Sequence, residues 1–155
     1  MRERFFGVTS AAGAAALACL LGACSAAGGD DGAVTVLRLQ AGECFTAGDA
    51  TGSGEIDDID TVPCPEPHDS EVFAVVDHPG GEAAPFPGDE EISTFAASEC
   101  LARFESYVGG PQSGTGLSIG TIGPREESWD KAGDRQIACV LSSREPMTGS
   151  RKASG

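Results

Sequence analysis

The chain has 155 residues, 24 of them acidic and 10 basic, and a formal net charge of −14. That charge repels phosphate backbones and anionic headgroups, so nucleic acid is excluded as a ligand and the domain does not lie on an acidic membrane surface of its own. Cations or a basic partner are compatible, and so is a plain solubilising role for the acid. The length suits one domain of ordinary size.

The chain opens with Arg2 and Arg4, diluted by Glu3, followed by an uncharged and mostly apolar run from Phe5 to Leu21. A basic start, an apolar run and small residues before a cut mark a secretory signal peptide over residues 1–23. The run is near the lower length limit for crossing a bilayer, and its Ala and Gly make it a poor permanent anchor. Leu21-Gly22-Ala23-Cys24 resembles the lipobox of bacterial lipoproteins. That resemblance implies a diacylglyceryl group on the Cys24 thiol, cleavage before it and a membrane attachment through the lipid. Each buried methylene adds about 0.8 kcal/mol, so two or more chains anchor stably. Processing removes two basic residues and one acidic one, and the remaining chain is more acidic still.

Residues 24–33 are small and polar after Cys24 and read as a flexible tether, with a reach of about 15–18 Å. The folded part is expected over 34–142. Val34 to Leu39 is β-rich, and Ala41-Gly42-Glu43 forms a turn before Cys44-Phe45. Residues 47–60 make an acidic, glycine-rich loop. With Asp49 in the first position, Thr51, Ser53, Gly54, Ile56, Asp57 and Asp60 fall at places used by an EF-hand calcium loop. The third and fifth positions are only hydroxyls, however, and the twelfth is Asp where the motif uses a bidentate Glu. A solvated turn is the plainer reading.

Thr61-Val62-Pro63-Cys64 reads as a short edge strand, where proline is tolerated. Pro67-His68-Asp69 reads as a turn, with Asp69 fixing the backbone and His68 packing or hydrogen-bonding locally. The run from Glu71 to Asp77 is the strongest strand, apolar enough for a central place in a sheet. Residues 78–88 are a loop in which His78 is expected to be solvated. Asp89-Glu90-Glu91 starts a helix, with Asp89 as N-cap. Ile92, Phe95, Ala96, Cys100, Phe104, Tyr107 and Val108 share one face of it, and Gly109-Gly110-Pro111 ends it. Leu117 to Ile122 and Gln136 to Leu141 read as strands, with a Pro124-to-Gly133 connection between them. Trp129 in that connection is either a core plug or a recognition residue. Asp134 and Arg135 could pair across the hairpin. Residues 143–155 read as a disordered tail.

Of six cysteines, Cys19 lies in the signal peptide and Cys24 is the lipid site, leaving Cys44, Cys64, Cys100 and Cys139. An even number in an exported chain reads as two disulfides with three possible connectivities, and the wide gaps lack the C-x-x-C spacing of a structural metal site. Cys100 sits on the inward helix face, and Cys139 alternates with Ile137 and Leu141. The simplest solution joins Cys100 to Cys139 and leaves Cys44 with Cys64. The expected fold is α+β: a small, mostly antiparallel sheet, one main packed helix and two disulfides.

Four stretches, Leu39-x-x-Gly42-x-Cys44-Phe45, Val62-x-Cys64-x-x-Pro67-His68-Asp69-x-Glu71-Val72, Cys100-x-x-x-Phe104-x-x-Tyr107-x-Gly109 and Pro124-x-x-x-x-Trp129-x-x-x-Gly133-Asp134-Arg135-x-x-x-Cys139, occur in this order over about residues 36–142. Together they resemble the septum formation domain family of actinobacterial surface proteins. The resemblance implies an exported domain held by a lipid or a transmembrane helix and a link to cell division. It brings no catalytic residue and no cofactor. The leading expectation is a non-enzymatic, lipid-anchored module on the outer face of the cell membrane that binds an envelope protein, with His68, Asp69, Trp129 and Arg135 as candidate contacts. The alternatives are calcium or small-ligand binding through residues 49–60, and an envelope hydrolase using His68 and Asp69.

Overall fold

The computed structural model describes residues 38–47, 59 and 61–154. Cys24, the tether and the proposed calcium loop, save Ile59, lie outside these residues. Five antiparallel strands form one sheet: β1 (Cys44–Phe45), β2 (Thr61–Val62), β3 (His68–Asp77), β4 (Leu117–Ile122) and β5 (Gln136–Met147), in the order β2-β1-β3-β5-β4. Helix α1 spans Asp89–Val108 and α2 spans Glu126–Ala132. The apolar run of β3 takes the middle place that its composition predicts, and β2 with its neighbouring Pro63 takes an edge.

Each face of the sheet is covered differently. Ile92, Ala96, Cys100 and Phe104 of α1 pack on Phe73, Ile137, Cys139 and Leu141, with Trp129 and Met147 at the margins. Leu39 and Phe45 cover Val72, Ala138 and Val140 on the opposite face. Alternation sends successive β3 side chains into the two layers, and a register shift between Val72 and Ala74 places the neighbours Phe73 and Ala74 in the same one, because a bulge re-aims side chains. Phe104 meets Phe73 edge to face at 5.7 Å, a favoured aromatic geometry. The disulfides join Cys44 to Cys64 and Cys100 to Cys139, the pairing expected from the helix face and strand alternation. In the chain-entropy model, loops of 20 and 39 residues give about 3 and 4 kcal/mol.

Three local expectations are corrected. The N-cap of α1 is Gly88, which leaves Asp89 as the first helical residue, with no side-chain cap. Its other end is as predicted, with Gly109 left-handed at φ 78° and donating its N–H to Glu105 O. Arg38 and Leu39 belong to no strand, although Leu39 is buried; Val34 to Leu37 lie outside the described residues. The connection after Pro124 holds a helix, α2, whose start is closed by Ser128 Oγ accepting the Arg125 N–H.

The largest correction is at the end of the chain. Residues 143–154 of the expected disordered tail at 143–155 are ordered: β5 continues to Met147, which is buried opposite His68. Beyond it, Gly149 N–H donates to Cys64 O and Ala153 N–H to Tyr107 O. Among the described residues, no helix is long and apolar enough to cross a membrane.

Candidate functional site

The sequence-predicted contact residues fall into two groups at different places in the fold. The first surrounds Glu71 at the start of β3. Glu71 is fully buried, and its carboxylate accepts hydrogen bonds from Tyr107 OH at 2.6 Å, Ser150 Oγ and the Arg151 N–H at 2.7 Å. These donors come from the last turn of α1 and from the C-terminal segment, so one carboxylate ties three parts of the chain together. A carboxylate out of water needs such donors, and charge-assisted bonds are the strong ones. Burial, and then the hydrogen bond to Glu71, push the Tyr107 phenol up to about 12. Tyr107 therefore holds its proton and remains a donor.

His68 is the next buried polar group. Its Nδ1 lies 2.7 Å from Glu66 O, and because a carbonyl only accepts, Nδ1 carries the proton. Nε2 is buried and has no hydrogen-bond partner among the described residues. A His68 ring nitrogen lies with Cys44 Sγ and a Glu71 oxygen in a group of donor atoms within 4.8 Å of one another. The group is a poor fit for a metal: the Cys44 sulfur is in a disulfide and supplies no thiolate, and the Glu71 oxygens already accept three hydrogen bonds.

His68 and Asp69 belong to β3 and not to a turn. Neighbouring residues in a strand point to opposite sides. Asp69 accepts the Ala47 N–H and the Ser70 hydroxyl, both at 2.8 Å, and so pins the chain that follows β1. The structure does not bring the His68 ring and the Asp69 carboxylate together as an orienting pair. With 1% of its surface exposed, His68 does not offer a contact to a partner.

The second group surrounds Trp129, which is 1% exposed. Its Nε1–H donates to Ala84 O at 2.8 Å, and Phe86 meets its ring edge-on at 5.8 Å. Trp129 is thus the plug of the two readings. His78 is not solvated but lodged between Phe95 at 4.8 Å and Trp129 at 5.2 Å, and its Nδ1 accepts the Gly80 N–H. The backbone of Gly80 comes so close that a Cβ there would stand 2.9 Å from Trp129 ring carbons. Arg135 sits 3.5 Å over the Trp129 ring and donates to the carbonyls of Gly80, Gly81 and Glu82. It does not pair with the Asp134 side chain, which binds Arg38 at 3.0 Å and Ser128. Trp129 and Arg135 together hold the 78–88 loop to the sheet.

The reading from sequence missed Glu71, Tyr107, Ser150 and Arg151 as a unit. An acidic residue at the head of an apolar strand run was the available signal. The outer edge of β4, which no strand among the described residues pairs with, is the other surface with chemistry left to do, and it was marked only by the lack of charge from Leu117 to Ile122. A family model described as septum formation matches residues 41–155, and so includes the C-terminal segment that packs on Glu71. No curated protein and no solved structure matches the chain.

Proposed function

Because the chain belongs to the septum formation family, we propose that it is a non-enzymatic binding or scaffold module of septum formation and envelope assembly. In this reading Cys24 carries a lipid that holds the domain on the extracytoplasmic face of the cell membrane, and the domain engages an envelope protein. The observation that carries the reading is the closed pair of disulfides, Cys44–Cys64 and Cys100–Cys139. Such bonds persist in oxidising compartments and are rare in a reducing cytosol. The Leu21-Gly22-Ala23-Cys24 sequence supports the anchor, and the net charge of −14 favours a basic partner.

The test is made in cells that produce the full chain. Mass spectrometry of the mature amino terminus should find a diacylglyceryl-bearing Cys24, Cys24→Ala should release the protein from the membrane fraction, and depletion should disturb septa. An unmodified, freely diffusing protein overturns the anchor. Undisturbed septation on depletion overturns the septal role.

A further inference from the structure

We propose that the outer edge of β4 receives an extended, lysine- or arginine-bearing segment of a partner protein as an added antiparallel strand. The inference rests on reading the domain as a binding module and names the class of partner. Among the described residues, β4 ends the sheet order and pairs only with β5. At its first residue the backbone turns away from β5: the Leu117 N–H donates to Thr115 Oγ1 at 3.1 Å, and the Leu117 carbonyl accepts Gln112 Nε2 at 3.2 Å. Backbone direction alternates along an antiparallel strand. Ile119 and Thr121 therefore also aim their N–H and C=O groups outward, while Ser118, Gly120 and Ile122 face Ser142, Val140 and Ala138. Among the described residues nothing bonds to the Ile119 or Thr121 backbone. Two donors and two acceptors stand in strand geometry, and Gln112 with Thr115 closes only the first rung.

Sheet edges are commonly blunted by lysine, proline, a bulge or an inward charge. Leu117 to Ile122 contains no charge and no proline, and its register with β5 is unbroken. Ser118, Gly120 and Thr121 are exposed. Main-chain bonding at such an edge gives affinity, and pockets for side chains of the added strand give selectivity. One pocket is present: a cavity of about 170 Å³ bordered by Thr121 and Gly123 on one side and by Asp89 and Ser93 of α1 on the other.

The charge around this end selects the occupant. Asp89 stands at the cavity, Glu90 and Glu91 follow it, and Glu126 and Glu127 open α2 just beyond Pro124; all five are exposed. Arg125, the basic residue of this stretch, is already engaged. A cationic side chain in the added strand meets the Asp89 carboxylate there. A second copy of this chain brings −14 against −14 and is disfavoured by long-range repulsion.

The probe is a synthetic peptide of alternating valine and lysine, compared with one of alternating valine and glutamate, added to the purified full chain. Hydrogen exchange should slow at the Ile119 and Thr121 amides with the lysine peptide alone. Binding should weaken with salt, and by on the order of tenfold in Asp89→Lys and in Thr121→Pro, which removes one outward donor and leaves the bonds to β5. If Thr121→Pro disturbs the Trp129 emission that reports the fold, Asp89→Lys carries the comparison. Unchanged exchange at both amides, equal binding of the glutamate peptide, or self-association through β4 overturns the proposal. Failure here with septa still disturbed on depletion refutes the edge and not the module; peptide binding at the edge with normal septa on depletion supports the edge and refutes the septal reading.

Discussion

The Arg135 guanidinium lies 3.5 Å over the ring of Trp129, and its N–H groups reach the carbonyls of Gly80, Gly81 and Glu82 in the loop that follows β3. A planar fork stacked on an indole does work that a lysine ammonium does not, since lysine offers a point charge without the fork. Arg135→Lys is expected to lower stability by about 1–2 kcal/mol and to red-shift the emission of Trp129, the only tryptophan. Thermal melts and fluorescence read both effects; an unshifted spectrum with unchanged melting counts against the clamp.

Tyr107 is the only tyrosine, so phenolate absorbance reports it alone. Its pKa is raised from 10.0 to about 12, first by burial and then by the hydrogen bond to Glu71. A folded-state pKa above the unfolded one means that the protonated phenol favours the fold. The stabilisation is complete below pH 10 and is lost as pH rises through about 12. Titration should give one transition near the higher value, accompanied by loss of stability. A midpoint near 10 in the folded protein contradicts the bond to Glu71.

Glu71→Ala removes the acceptor shared by Tyr107, Ser150 and Arg151. Buried donors left without partners cost about 1–3 kcal/mol in such a change, and the C-terminal segment loses its tie. The expected outcome is a lower denaturant midpoint together with faster amide exchange at Arg151, whose N–H is hydrogen-bonded to Glu71 in the native protein. Protection that survives at Arg151 shows that the segment is held by something else.

The two disulfides differ in what they secure. Cys100–Cys139 crosses from α1 to β5 through the core, and both residues are fully buried. Replacing both with alanine is expected to cost about 2–5 kcal/mol and to loosen α1, seen as faster exchange along the helix. Replacing Cys44 and Cys64 should act on β1, β2 and the segment after Gly149, whose N–H binds Cys64 O. Equal exchange patterns from the two variants contradict this division.

The helix and its disulfide were legible because α1 is long and one of its faces is apolar, which puts Cys100 inward, while alternation along β5 does the same for Cys139. β3 was legible from its continuous apolar run. α2 was not, because only Ser128 and Trp129 of its residues are buried, too few to set a period. His68 and Asp69 looked like a turn after Pro67, but pairing with Met147 draws them into the ladder. The contact roles expected of His68, Trp129 and Arg135 came from their residue types; the fold buries His68 and Trp129, and Arg135, which keeps partial exposure, also binds carbonyls and a ring of its own chain. The C-terminal segment has no apolar pattern to read, and what orders it is hydrogen bonding to Glu71, Cys64 and Tyr107, all far away in sequence.

That distance bears on how the molecule matures. Glu71 sits in the middle strand, yet Ser150 and Arg151 follow it by 79 and 80 residues. In a chain delivered amino end first, the Glu71 carboxylate meets Tyr107 well before it meets Ser150 and Arg151. The middle strand therefore completes its hydrogen bonds late, and cutting the chain before Ser150 reaches the innermost strand.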